Sequence, residues 1–286
     1  MIISIGEIVW DIFGDTKILG GAPLNVAYHL AQLDRQIKLV SRIGTDDLAS
    51  STLHQISSLG LPVEDIQQDD TLPTGQVVVT VGENNEPSFD IIAPAAWDAI
   101  ETSTFEGREA QKYHMVFGTL AQRSEKTRET IRSLWPGADI LFYDVNLRPP
   151  FTPPERVLNS LIAADVVKLN DNELHEVTDW LQLSSGDLKE RAQALFSHYK
   201  LLALVVTMGK SGAFVVTRNC LVEHPGFPVE VIDTVGAGDA FFAAFIDSML
   251  KKKNWHTCLE LANQRGAYVA GCQGATPPMK SFKPQL

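Results

Sequence analysis

Short runs of β-branched and apolar residues recur along this chain with helix-length amphipathic stretches between them, and that alternation restricts its folds most. The runs are IISI (2–5), KLVSRIG (38–44), MVFG (115–118), DILFYDV (139–145), DVVKLN (165–170) and LLALVVTMG (201–209). NVAYHLAQL (25–33) and SEKTRETIRSLW (124–135) are two of the helical stretches between them. Strands joined through helices pair in the same direction, so the pattern predicts an α/β protein with a mainly parallel sheet covered on both faces. Two stretches break the rhythm: residues 10–19 and 75–93 read as short extended segments joined by polar turns, VGENNEP (81–87) being the strongest. They predict a small antiparallel flap, with segments at approximately 10–20 and 74–95, inserted into one domain spanning 1–286. Beside a pocket such a flap would act as a lid; the alternative is a static extension of the sheet edge.

No window approaches the ~18 uninterrupted apolar residues of a membrane span. The first residues, MIISIGEIVW, enter a strand with no basic leader, so a soluble cytoplasmic protein without a membrane partner is expected. The chain carries 24 basic against 35 acidic residues, net −11. That balance argues against a nucleic-acid partner, and it requires any anionic ligand to be gathered locally by backbone amides or a few placed cations. Cys220, Cys258 and Cys272 form no CxxC pair. An odd, unpaired set fits a reducing compartment and thiols buried in the core.

Three apparent motifs fail. GKS at 209–211 lacks the upstream glycine of a phosphate-binding P-loop, because position 204 is leucine. His175-Glu176 is followed by Asp179 where a zinc protease needs its second histidine, and Phe241 replaces the third glycine of a dinucleotide fingerprint. DTVGAGDAFFAAF (233–245) is different: Gly236 and Gly238 can bare backbone N–H groups, and the helix that follows points its unpaired donors and positive dipole end back at the loop. The stretch therefore predicts an anion hole with Asp239 at its mouth. Near the start, GGAPLNVAYHLAQL (20–33) couples a glycine doublet to Asn25, which either caps a helix or meets a ligand's hydroxyls. Asp11 is an acceptor-only carboxylate suited to vicinal hydroxyls, or a turn aspartate in solvent.

GGAPLNVAYHLAQL and DTVGAGDAFFAAF resemble the two signature stretches of the ribokinase-like, or PfkB-type, carbohydrate kinases, in the same order and at opposite ends of the chain. KLNDNE (168–173) resembles that family's Asn-x-x-Glu motif, and VVTMGKSGA (205–213) its strand-plus-glycine nucleotide segment. YDVNLRPPF (143–151) resembles the Asp-x-Asn-x-Arg stretch of fructokinase-type members. The resemblance implies a ribokinase-like three-layer sandwich with a small antiparallel β lid, and an ATP-dependent sugar kinase, a fructokinase turning D-fructose into fructose 6-phosphate. Ribose, 2-keto-3-deoxygluconate or a nucleoside are alternative acceptors, and a non-catalytic sensor of sugar or nucleotide is a further alternative.

By the same resemblance Asp239 is the general base, capping its helix while it faces the sugar hydroxyl, and the amides of Gly236, Ala237 and Gly238 are the donors for the transferring phosphoryl group. Asp11, Gly21, Asn25, Arg148 and Asp239 contact the sugar, with Phe89 and Ile91 of the flap closing over it. Asn170, Thr207, Gly209, Gly212 and Asn263 join Gly236 and Gly238 in holding ATP. Glu173 organises Mg²⁺ through water, and Asp233 with the 269–275 stretch resembles a monovalent-cation (K⁺) site, although VAGCQGA departs from the usual pattern there. Relatives of this kind dimerise through their lids, which makes a homodimer the expected partner state.

Overall fold

The six apolar runs outside the flap all take their place in one nine-stranded sheet of the protein, for which a computed structural model describes residues 1–81, 87–102, 112–183, 185–279 and 282. Third from one edge lies β1 (Ile2–Ile5), with β4 (Ile37–Ile43) and β5 (Ile66–Gln68) between it and that edge. On the other side follow β8 (Tyr113–Gly118), β9 (Ala138–Asp144), β10 (Val166–Asn170) and β11 (Ala203–Thr207). All seven run parallel. An antiparallel hairpin, β12 (Ala213–Val216) and β13 (Leu221–His224), extends the sheet beyond β11. The sequence reading does not isolate the runs AFVV and LVEH of this hairpin.

Side-chain alternation divides the core into two layers. Ile3, Val167, Leu169, Leu204 and Val206 face α3 (Glu125–Leu134), α4 (Pro154–Ala163), α5 (Asp171–Trp180) and α6 (Leu188–Tyr199). Their neighbours Ile2, Val166, Ala203 and Val205 face α1 (Ala22–Ala31), α2 (Asp47–Ser58), α7 (Ala237–Leu250) and α8 (Trp255–Ala270). A strand buried on both faces must be apolar at odd and even positions alike, which is why IISI and ALVVT read as continuous apolar runs. The α/β/α sandwich follows.

The second sheet has four strands in the order β3 (Thr16–Gly20), β2 (Val9–Phe13), β6 (Gly75–Val81), β7 (Pro87–Ile91). β2–β3 and β6–β7 are antiparallel hairpins, as expected of the flap, and the seam joining them, β2 to β6, is parallel. The turn expected at 82–86 lies outside the described residues. Asp11 stands level with Ile18 and Val77, and Val77 with Ile91, so these four share one face.

No helix among the described residues is long and apolar enough to cross a membrane. The three cysteines are free, and the expectation of core thiols holds for Cys258 alone, since Cys220 and Cys272 are only half-buried.

Candidate active site

Parallel strands end together, and the residues at their carboxyl ends converge on one edge of the sheet. Glu7 follows β1, Asp144 closes β9, and Asn170 and Thr207 close β10 and β11 side by side. Against that edge lies the loop that starts α7. Gly236 is its N-cap at φ 76°, and a Cβ there would sit 2.4 Å from the Cβ of Ala275, so both the left-handed backbone and the close approach demand glycine. The N–H of Ala237 donates to Thr234 O at 3.2 Å, which removes it from the expected set of donors. Among the described residues no partner is seen for the N–H groups of Gly236, Gly238 and Asp239, and these remain for an anion.

Asp239 does not cap α7, contrary to the sequence reading; it lies in the first turn, and the cap makes no side-chain hydrogen bond. Its Oδ2 instead accepts from Asn25 Nδ2 at 2.8 Å. Asn25 is no cap either, because α1 begins at Ala22 with Gly21 as N-cap, and its Oδ1 is buried without a partner. Gly21, at φ 117°, lets the chain pass so close to β1 that a Cβ would lie 2.4 Å from Glu7 O.

Beneath the loop is a buried ion pair. Lys168 and Asp144 are register partners on β10 and β9, and Lys168 Nζ donates to both carboxylate oxygens at 3.0 and 2.9 Å. The same Nζ would lie 3.2 Å from a Cβ on Gly238, so a fixed cation lies directly behind the loop that opens α7. Burial opposes the charge on Lys168, but Asp144, Glu173 and Asp239 together hold its pKa above the usual lysine value. Asp239, half-buried, has its carboxyl pKa raised by loss of solvent, with Lys168, the Asn25 bond and Arg148 pulling the other way.

The candidate nucleotide residues Asn170, Thr207, Gly209, Gly212, Gly238 and Asn263 all line one cleft of about 680 Å³ between β10, β11, α7 and α8. Gly236, expected among them, does not line that cleft. Phe227, Val229, Val231, Ala267 and Ala270 give the cleft apolar walls suited to a flat base. Asn263 Nδ2 donates to Leu259 O at 2.8 Å, which leaves its carbonyl oxygen for a ligand.

Glu173 forms a capping box with Asn170: Oε2 accepts from Asn170 N and Oε1 from Leu147 N, each at 2.8 Å, and Asn170 Oδ1 accepts from Glu173 N. Asp233 is engaged likewise, Oδ1 accepting from Val235 N and Oδ2 from Gly274 N, both at 3.0 Å. Both carboxylates thus fasten loops. Among the described residues no group of three or more metal-ligand side chains is assembled.

Of the sugar candidates, Asn25 bonds Asp239, and Arg148 acts on the charge of both Asp11 and Asp239. Arg148 is exposed in the loop after β9, yet its charge lowers the pKa of Glu7, Asp11 and Asp239. Burial nevertheless pushes Asp11 up to about 6. Of the two flap residues, Ile91 is buried whereas Phe89 stands 57% exposed, so Phe89 is not packed over the site.

Residues 6–281 match the model of the pfkB family of carbohydrate kinases. The chain belongs to that family. It is 26% identical over 292 residues to a fructokinase of Escherichia coli, covering 95% of this chain and 93% of that protein. It is also 26% identical over 311 residues to fructokinase-2 of Oryza sativa subsp. japonica, covering 98% and 90%. A solved structure of a fructokinase double mutant from Vibrio cholerae O395, in fructose-, ADP- and potassium-bound form, is 25% identical and superposes with a TM-score of 0.83 over 96% of this chain and 93% of that one.

Three groups at this pfkB kinase's site are given no role by the sequence reading: Glu7, and Lys168 and Asp144, although the last two lie inside the quoted KLNDNE and YDVNLRPPF stretches. A signal was available, since a charged residue at the end of an otherwise apolar parallel strand is costly to bury without a purpose. Glu7 is the sharpest case: only 4% exposed, with Oε2 unpartnered, its carboxyl is raised by burial to about 7.

Proposed function

We propose that this kinase transfers the γ-phosphoryl group of ATP to the 6-hydroxyl of D-fructose, the whole chain acting as one domain with the second sheet as its lid. The observation that carries the reading is Asp239, held by Asn25 in the first turn of α7 next to Ala237 and Gly238 of the cleft and within the field of Arg148. The free Oδ1 of Asp239 accepts the hydroxyl proton as the sugar oxygen bonds to phosphorus and the bond to the departing ADP oxygen breaks. A carboxyl raised above its ordinary value by burial is a better base than a surface aspartate. The N–H groups of Gly236, Gly238 and Asp239, with Lys168 behind them, meet the charge spread over the transferring oxygens. That set suits an acidic protein, because every donor is backbone or a single enclosed cation.

Mg²⁺ carried with the nucleotide would offset phosphate charge, and the occupied oxygens of Glu173 leave it to bind through water, as Mg²⁺ tolerates well. K⁺ fits beside Asp233, whose carboxylate already gathers the 233–236 and 274 segments. Fructose is preferred as acceptor on the likeness to the E. coli and Vibrio fructokinases. Phe13, Ile18 and Phe89, 40%, 38% and 57% exposed on the second sheet, supply the surface for a homodimer, which light scattering would detect as a doubled mass.

The test is a coupled ADP-release assay with Mg-ATP over fructose, ribose, 2-keto-3-deoxygluconate and nucleosides, repeated for Asp239→Asn. The substituted amide oxygen can still accept from Asn25, so the fold is expected to melt as before while kcat falls by ~10²–10⁴. Turnover of no acceptor by the wild type, or a loss under about tenfold in the variant, defeats the assignment.

A further inference from the structure

Gly236 rests on Ala275, and the question is what fixes Ala275. Part of the answer is Asp233, which accepts from Gly274 N at 3.0 Å. The rest comes from α1: Ala275 O is paired with His29 Nε2 at 2.9 Å. His29 is fully buried one helical turn beyond Asn25, so a single face of α1 grips both the Asp239 carboxylate and the segment under the anion-hole loop. The other ring nitrogen, Nδ1, faces Arg265 Nε at 3.3 Å, and Arg265 also donates to His29 O at 3.1 Å. An arginine Nε–H can only donate, so Nδ1 must accept and the proton sits on Nε2, directed at Ala275 O. Burial, and the guanidinium beside it, push the ring pKa down to about 3, which keeps it neutral. Tyr28 OH and Tyr268 OH donate to Pro277 O and Pro278 O at 2.7 and 2.8 Å and hold the continuing segment.

We infer that His29, set in one tautomer by Arg265, is a positioning residue for phosphoryl transfer: through Ala275 it fixes the height of Gly236 and hence the aim of the amides that open α7. It touches neither nucleotide nor sugar. The inference rests on the kinase reading only for its kinetic consequence; the effect on the loop stands apart from it.

Two substitutions separate the two nitrogens. The amide of Gln reaches the place of Nε2 and can still donate to Ala275 O, whereas Asn reaches only the place of Nδ1, satisfying Arg265 but releasing Ala275. Hydrogen exchange followed by mass spectrometry on the peptide spanning 234–241 is expected to quicken about tenfold in His29→Asn and to stay within twofold of wild type in His29→Gln. In parallel, kcat with fructose is expected to drop at least tenfold in His29→Asn with the sugar KM unchanged, and to remain within threefold in His29→Gln. Unchanged exchange in a folded His29→Asn, or equal impairment of both variants, overturns the inference. Should His29→Asn not fold, His29→Gln decides alone: wild-type exchange upholds the role of the Nε2 donor and quickened exchange removes it. If the wild type phosphorylates no acceptor the functional reading fails, and the exchange data still judge the loop.

Discussion

Replacing Lys168 with methionine tests whether the buried cation beneath the anion hole holds the site together. Lys168 and Asp144 are 7% and 4% exposed, and the carboxylate's two oxygens take their bonds from this one ammonium group, at 3.0 and 2.9 Å. Methionine keeps the length of the side chain and removes the charge, leaving Asp144 as an uncompensated buried anion, a change that typically costs about 3–5 kcal/mol. Asp144 already has its pKa raised by burial, with Glu173 and Asp239 adding to the effect and Lys168 opposing it. Without Lys168 it rises further, and a raised carboxyl contributes stability below its unfolded pKa that is lost as pH climbs. The deficit of Lys168→Met is therefore expected to be small near pH 4–5 and full at pH 8, read by urea unfolding at each pH. Adding Asp144→Asn removes the orphaned charge and should recover all but about 1–2 kcal/mol at pH 8. Turnover should not recover with stability, because the cation behind Gly238 is still missing. A single variant within about 1 kcal/mol of wild type at pH 8, or a double variant no more stable than the single, refutes the reasoning.

The acidic limb tests Glu7. Its folded pKa, about 7 against 4.5, means that stability present below 4.5 is lost as pH rises to 7, a slope of up to about 1.4 kcal/mol per unit. Glu7→Gln should therefore match wild type at pH 4.5 and exceed it by about 3 kcal/mol at pH 7.5 in thermal or urea melts; parallel pH curves would contradict that. Gly236→Ala meets a left-handed backbone, which costs roughly 1–2 kcal/mol, and also overlaps Ala275, so both Tm and kcat should fall; an unchanged kcat would show that the loop's height does not matter. Glu173→Ala deprives Leu147 N and Asn170 N of their acceptor and should lower stability by about 1–3 kcal/mol for each donor left buried, even in metal-free buffer. Loss of activity at wild-type stability would instead assign Glu173 to the metal alone.

What could be read from sequence follows the range of the interactions involved. The layer architecture was legible because it depends on burial on both strand faces, which writes itself into every strand as a continuous apolar run. The Asn170–Glu173 pair and the glycines of GAG were legible as motifs because their spacing is local, although the pair was read as holding ATP and Mg²⁺ rather than as the capping box it forms. The role of Asp239 was half legible. Its spacing after GAG placed it at a helix start, but whether it capped that helix or turned away depended on Asn25, 214 residues distant. The capping expectation failed because a neighbouring donor offered its carboxylate a charge-assisted bond that the helix amides did not have to supply.

The remaining groups share a different property, which explains why their partners could not be read from the sequence. Lys168 and Asp144 meet only because β9 and β10 pair in one register; a shift of one residue would turn Lys168 to the opposite face and leave Asp144 beside Leu169 or Val167. His29 and Ala275, 246 residues apart, meet only because α1 packs against α7 and α8 on the same face of the sheet. In each case the partner is supplied only by the packing of two distant elements. The loop that opens α7 is therefore tied to α1 from outside itself: Asn25 bonds the Asp239 carboxylate and His29, one turn on, bonds Ala275 O. A substitution that tilted α1 by packing alone, at Leu24 or Val26 in its buried face, would disturb both grips at once without touching a ligand. Kinetic damage out of proportion to lost stability is the signature such a seam predicts, because a displacement on the order of 1 Å can cost about a hundredfold in rate.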